Sequence, residues 1–213
     1  NGTSVIPYSV DNSYMLYSIN TDSTQGPVLL PTMPYLQTPL SQQEYELLVN
    51  WIANGAPNKD NFVKFSDNPN RKKLYIVMQG CDKVAVVDEA TKVIMRYVEV
   101  GNNPNIIESP HQVRVSPDGQ YWYVVFINGD ILQKFSSSDD QLVGEVNIGL
   151  GDWNTLVFNN AGDTGFVNAT QAGFFAVVPL NTMANYQIRT SVFPHGGIVT
   201  PDGRFLYLTN QNG

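Results

Sequence analysis

One turn recurs along the second two-thirds of the chain, and it limits the fold more than any other feature of the sequence. Ser116-Pro117-Asp118-Gly119 returns as Asn159-Asn160-Ala161-Gly162 and again as Thr200-Pro201-Asp202-Gly203. The three glycines are spaced by 43 and 41 residues. Each interval holds four short runs rich in β-branched and aromatic residues, the composition of strands. A period of about 40–45 residues with four strands is that of a propeller blade. A degenerate copy of the turn lies at Asp67–Arg71, and the insertion Asn102–Ser109 lengthens the first period. Strands are expected at 73–78, 84–87, 93–100, 112–115, 121–127, 131–135, 142–148, 155–158, 165–168, 174–179, 186–190, 197–200 and 205–209. The fold class is therefore mainly β, with about three to four blades of an incomplete propeller. Propellers close with about 4–8 blades. Three alone expose sheet edges and apolar faces. The expected partners are thus the remainder of the natural chain or other subunits of a complex. A small β-sandwich with accidental periodicity is the alternative. The Pro-Asp-Gly turns match in position as well as type, which argues against it.

Ahead of the repeats the pattern is helical. Ser41-Gln42-Gln43-Glu44 is a capping box, in which the Ser hydroxyl and the Glu carboxylate each satisfy the other's backbone amide. Tyr45, Leu48, Val49 and Ile52 follow at helical spacing and make one apolar face. Asn54-Gly55 provides the left-handed stop, and Pro57 forbids continuation. This predicts a helix over 41–53, with a shorter one over 13–19. Between them Gly26–Pro39 carries Pro27, Pro31, Pro34 and Pro39 and is irregular. The domain division expected is 1–60, helical, and 61–213, propeller.

Composition removes several functions. Twelve Lys and Arg against nineteen Asp and Glu give a net charge of −7, so a generic nucleic-acid-binding face is not expected. The single cysteine, Cys81, permits no internal disulfide and no thiolate cluster. No apolar run approaches the ~20 residues of a membrane-spanning helix. No nucleophile elbow, phosphate-binding loop or His-Glu-x-x-His motif is present. Asp118 and Asp202 are read as turn formers.

The segment Ser13-Tyr14-Met15-Leu16-Tyr17-Ser18-Ile19, then Met33-Pro34, Leu40-Ser41-Gln42-Gln43-Glu44 and Trp51-Ile52-Ala53-Asn54-Gly55-Ala56 resembles the carboxy-terminal half of a c-type cytochrome domain. The likeness covers about residues 2–57. It implies that Met33 is the axial haem-ligand candidate and that Trp51 packs near the haem. A thioether ligand is soft and neutral and raises the potential of the iron. The family attaches haem c through Cys-x-x-Cys-His, which this sequence lacks, and its two histidines, His111 and His195, lie in the repeats. This chain by itself cannot attach haem covalently. Either the motif lies upstream of Asn1 or the segment is a haem-free relic.

Lys83–Thr91, Val98-Glu99-Val100-Gly101, Pro110-His111, Pro194-His195 and the Pro-Asp-Gly turns are similar to the YVTN-type β-propeller family, over about residues 62–213. The resemblance implies seven blades, about half of them in this chain, and a binding platform rather than a fixed activity. His111, Asn154 and His195 each stand eight residues before the turn glycine of their repeat. In a propeller this position opens the innermost strand, so the three form part of a polar ring at the channel mouth. Histidine rings can hold copper. Polar lining of a wet channel is the preferred reading, because one repeat offers Asn in place of His.

Two functions follow from the resemblances. The first is electron transfer or redox chemistry by a cytochrome–propeller protein of the periplasm or cell surface, with anchoring through a lipid at an unseen amino terminus compatible. The alternative is a non-enzymatic scaffold or accessory lipoprotein subunit of an envelope complex, which binds a protein or ligand. A metal-dependent oxidoreductase centred at the propeller mouth is a third class. For this chain alone, no enzymatic activity is the favoured expectation.

Overall fold

A computed structural model describes residues 4–190 and 193–211. Residues 1–3, at the start of the cytochrome-like segment, lie outside the described part, as do 191–192 and 212–213. The chain divides into two compact units, Asn1–Leu74 with Ala85–Tyr97, and Tyr75–Val84 with Val98–Gly213.

Among the described residues the first unit holds two α-helices, Tyr14–Ile19 (α1) and Gln42–Ala53 (α2), behind a short 3-10 turn at Val10–Asn12. Ser41 caps α2 as a full capping box: its hydroxyl accepts from the Glu44 amide at 3.4 Å, and the Glu44 carboxylate accepts from the Ser41 amide at 2.8 Å. The helix ends where Gly55 takes a positive φ of 92° and its amide bonds back to Ile52. Leu16, Tyr45 and Ile52 form the small core of the unit, with Val10, Met15, Leu48 and Val49 packed against it. These are the faces that the apolar periodicity marked. The loop between the helices lies along α1, with the amides of Leu29 and Met33 donating to Tyr17 and Ser18.

Thirteen strands follow among the described residues: Lys73–Met78 (β1), Lys83–Asp88 (β2), Ile94–Glu99 (β3), Pro110–Val115 (β4), Tyr121–Phe126 (β5), Ile131–Ser136 (β6), Leu142–Asn147 (β7), Trp153–Phe158 (β8), Thr164–Ala169 (β9), Phe174–Pro179 (β10), Tyr186–Arg189 (β11), Pro194–Val199 (β12) and Leu206–Asn210 (β13). They build four sheets, β1-β2-β3, β4-β5-β6-β7, β8-β9-β10-β11 and β12-β13, each in chain order. Pairing in the two four-stranded sheets is antiparallel throughout. The recurring turn joins the first strand of a repeat to the second. Gly119, Gly162 and Gly203 all adopt a φ of 71–74°, and each amide bonds to the residue three before it. Asn68-Pro69-Asn70-Arg71 makes the same bond, Arg71 to Asn68, so β1 is the counterpart of β5, and among the described residues no strand pairs with β1 on its other side.

Within the second unit the first strands converge: β8 contacts both β4 and β12. Even and odd positions of β5 then serve two cores. Trp122, Val124 and Phe126 pack with Tyr75, Val77 and Val84. Tyr123 and Val125 pack with Leu156, Val167 and Ala176 of the following sheet. A sheet buried on both faces between two neighbours, with first strands meeting at a hub, is propeller architecture. The fold is mainly β, an incomplete propeller.

The strand boundaries differ from the sequence reading at one recurring place. β4, β8 and β12 begin two to three residues earlier than expected, at Pro110, Trp153 and Pro194. The register explains this. Pro110 opposes Phe126 while Gln112 opposes Val125, and Trp153 opposes Ala169 while Thr155 opposes Asn168. In β12 the shift falls between Pro194 and Gly197. Each first strand thus carries a β-bulge, which breaks the alternation that sequence pattern depends on.

Candidate functional site

The bulges decide where the candidate side chains go. His111 and Asn154 are the extra residues of the first two bulges, and His195 lies within the third. A bulged residue leaves the alternating in-and-out pattern and is re-aimed, which is why bulges recur beside binding sites. The backbone around them is held by the neighbouring sheet. Gln112 Oε1 accepts from the Leu156 amide at 2.6 Å. The Thr170 hydroxyl donates to the Pro194 carbonyl at 2.8 Å. The His195 carbonyl accepts from the Thr155 hydroxyl and, at 3.3 Å, from Asn168 Nδ2.

Asn154 and His195 line one cleft of about 420 Å³, together with Asp152, Gln171, Phe193 and Gln211. Asp152 is committed: its carboxylate accepts from the Gln171 amide at 2.8 and 2.9 Å and from Asn154 Nδ2 at 3.3 Å. That leaves an imidazole, amide groups and one aromatic ring facing the cleft. His111 stands 3.4 Å through Nδ1 from Gln79 Nε2. When Gln79 donates, the neutral ring carries its proton on Nε2. Burial pushes the His111 imidazole below its ordinary pKa, and the charge of His195 adds to the effect. The two histidines lie on β4 and β12, in the sheets on either side of the one that carries Asn154. With its pKa lowered, the His111 ring offers a neutral hydrogen-bonding group at neutral pH. Among the described residues, no group of three or more His, Cys, Asp or Glu is placed to hold a metal ion.

Met33 and Trp51 both lie at the surface of the first unit, 43% and 37% exposed. The Trp51 indole donates to the Pro57 carbonyl at 2.9 Å. In the Met33 loop Leu30, Tyr35 and Leu36 are also exposed, as is Leu47 on α2. Met33 is chemically suited to a sixth haem ligand, while the thioether attachment and the proximal His are not supplied by this chain. Sequence reasoning missed Asp152, Thr170, Gln171 and Gln79. Asp152 stands two residues before Asn154, where the other two repeats have Ser109 and Phe193, so the repeat itself does not mark it.

No protein-family model and no curated protein matches the chain. Solved structures do. Hydrazine synthase from Kuenenia stuttgartiensis matches with a TM-score of 0.58 and 22% identity over 68% of this chain and 41% of its own. A protein described as a 6-phosphogluconolactonase from Bacteroides fragilis matches with a TM-score of 0.55 and 16% identity over 66% of this chain and 45% of its own. The chain spans less than half the length of either. The class defined is the β-propeller. At these identities the likeness is one of fold, and a shared fold does not carry an activity.

Proposed function

We propose that the protein is a propeller-based binding platform of the periplasm or cell surface, and that the bulge residues His111, Asn154 and His195 mark its recognition face. The observation that carries the reading is the bulge itself. Three successive first strands break register at the same point, and His111, Asn154 and His195, all polar, are the residues that fall at the breaks. In this reading the side chains of Thr155, Asn168 and Thr170 hold the backbone of the β12 bulge through the Pro194 and His195 carbonyls, and the cleft beside Asn154 and His195 takes a ligand or a partner side chain. No helix among the described residues is long and apolar enough to cross a membrane. The test is recovery of the protein with its partner from native envelope extract. Asn154→Ala with His195→Ala is expected to abolish retention of that partner at an unchanged thermal midpoint. Retention equal to wild type would remove the reading.

A second reading is electron transfer, with residues 1–60 as the distal half of a haem c domain and Met33 as axial ligand. The exposed apolar residues of the Met33 loop favour it, because Leu30, Tyr35 and Leu36, all solvent-facing within three residues of Met33, have the character of a surface covered in the intact protein. The bound group would supply the redox couple. Met33 would supply a neutral sulfur ligand, and the loop anchored to Ser18 would hold it. A visible spectrum of the natural full-length protein decides this. A c-type Soret band that shifts in Met33→Ala supports it, and a featureless spectrum ends it.

A further inference from the structure

The β3–β4 connection, lengthened by Asn102–Ser109, folds onto the turn between β5 and β6. The amides of Ile127 and Asn128 donate to the carbonyls of Ser109 and Glu108 at 3.0 and 2.9 Å. Between the two loops lies a cleft of about 340 Å³, with Asn102, Glu108, Asn128, Gly129 and Asp130 in its wall and no Lys, Arg or His there. We propose that this cleft is a site for a hard divalent cation of the calcium class, held by the Glu108 and Asp130 carboxylates and the side-chain carbonyls of Asn102 and Asn128.

Glu108 is the central observation. It is 2% exposed, yet only one of its oxygens is used. Oε2 accepts from the amides of Asn102 and Asn103 at 2.6 and 2.9 Å. Oε1 accepts from no donor among the described residues, although Glu108 lines the cleft. Oε1 keeps its solvent contact at the cleft, where a cation or its water would complete the shell of a carboxylate otherwise removed from water. The surrounding backbone is built to admit this group. A Cβ at position 101 would sit 2.3 Å from Oε2, and one at position 129 would sit 2.9 Å from Oε1, and both positions are glycine.

The neighbouring side chains are turned the same way by their other bonds. Asn102 Nδ2 donates to Glu145 at 2.7 Å. Asn128 Nδ2 donates to the Ser109 hydroxyl at 3.2 Å and to the Ile107 carbonyl at 3.4 Å. With both amide nitrogens committed, the acceptor oxygens are left for the cleft. Asp130 uses Oδ2 to accept from Asn147 at 2.7 Å and keeps Oδ1. The result is an all-oxygen donor set with two negative charges and without nitrogen or sulfur. That set suits calcium or magnesium and disfavours zinc and copper. Four protein oxygens leave several coordination positions to water, which places the affinity near the weak range of extracellular modules, about 10⁻⁴ to 10⁻³ M.

The experiment is calorimetric titration of the full 213-residue chain, freed of metal with a chelator, with calcium chloride and separately with magnesium chloride. Saturable calcium binding is expected, at least about tenfold weaker in Asp130→Asn. Asp60→Asn, at an exposed site in the other unit, is expected to bind as wild type. Glu108→Gln is expected to abolish binding. Because Glu108 also caps two amides, that variant is read only if its far-UV spectrum is native, and Asp130→Asn carries the test otherwise. Absence of saturable calcium binding to wild type, or equal affinity in Asp130→Asn, overturns the proposal. Magnesium binding tighter than calcium overturns the assignment of the cation class.

Discussion

The indole of Trp122 donates to the carboxylate of Asp140 at 3.2 Å, inside the core between the first two sheets. The same oxygen accepts from the Tyr75 hydroxyl at 3.0 Å, and Trp122 stacks on Phe135 with ring centres 4.0 Å apart. A residue of the β6–β7 turn therefore supports an aromatic cluster built from three strands. Asp140→Ala takes the acceptor from the buried Trp122 indole, at about 1–3 kcal/mol, and removes one partner of the half-buried Tyr75 hydroxyl. Asp140→Asn keeps an acceptor in place and is expected to cost less. Urea unfolding followed by tryptophan fluorescence orders the two. Equal losses in both would show that the hydrogen bonds contribute nothing.

His111 gives a pH dependence of known sign. Burial, and then the charge of His195, lower its pKa in the folded protein. The unfolded chain consequently binds the proton more readily. This contribution to stability is complete above the unfolded value of about 6.5 and is lost as pH falls from there through the folded value. Imidazole NMR titration is expected to show a midpoint below 6.5 for His111 that rises in His195→Gln, but not fully, since burial is the larger cause. No movement in that variant would separate the two rings.

Two turn glycines with the same backbone should respond differently to alanine. Gly119 and Gly162 have φ of 73° and 74°. A Cβ at position 119 meets nothing within 4 Å, whereas one at position 162 lies 3.1 Å from Cδ of Pro117 in the preceding turn. Gly119→Ala is expected to cost only the left-handed strain, about 1–2 kcal/mol. Gly162→Ala costs more, because adjacent turns must also separate. Thermal unfolding of the two variants compares them directly.

Ser41→Ala tests the helical unit. Loss of the cap costs about 1 kcal/mol. Hydrogen bonds from the Ser41 hydroxyl, then from its amide, hold the Glu44 carboxyl below its ordinary value. The capping contribution is thus present above the unfolded carboxyl pKa and fades as pH falls through the folded one. Amide exchange at Glu44 and Tyr45 is expected to quicken in the variant, and exchange in β5 to stay as it is.

Local chemistry alone determined the strands, the turns and the cap. Alternation of side chains over six residues, a left-handed glycine after Pro-Asp and a Ser paired with Glu three positions on are all short-range signals. Each was legible without knowing what lies opposite. The equivalence of His111, Asn154 and His195 was legible too, as a constant distance from the turn glycine. Only the tertiary structure decided that these residues sit in bulges, because a bulge is a mismatch between two strands and has no signature in one of them. It also decided that Glu108, in a stretch that reads as a polar insertion, is buried with one oxygen bare, and that Asp140 supports Trp122. Those outcomes depend on which loop folds over which neighbouring sheet. Contacts across that sequence separation leave no period for a single sequence to display.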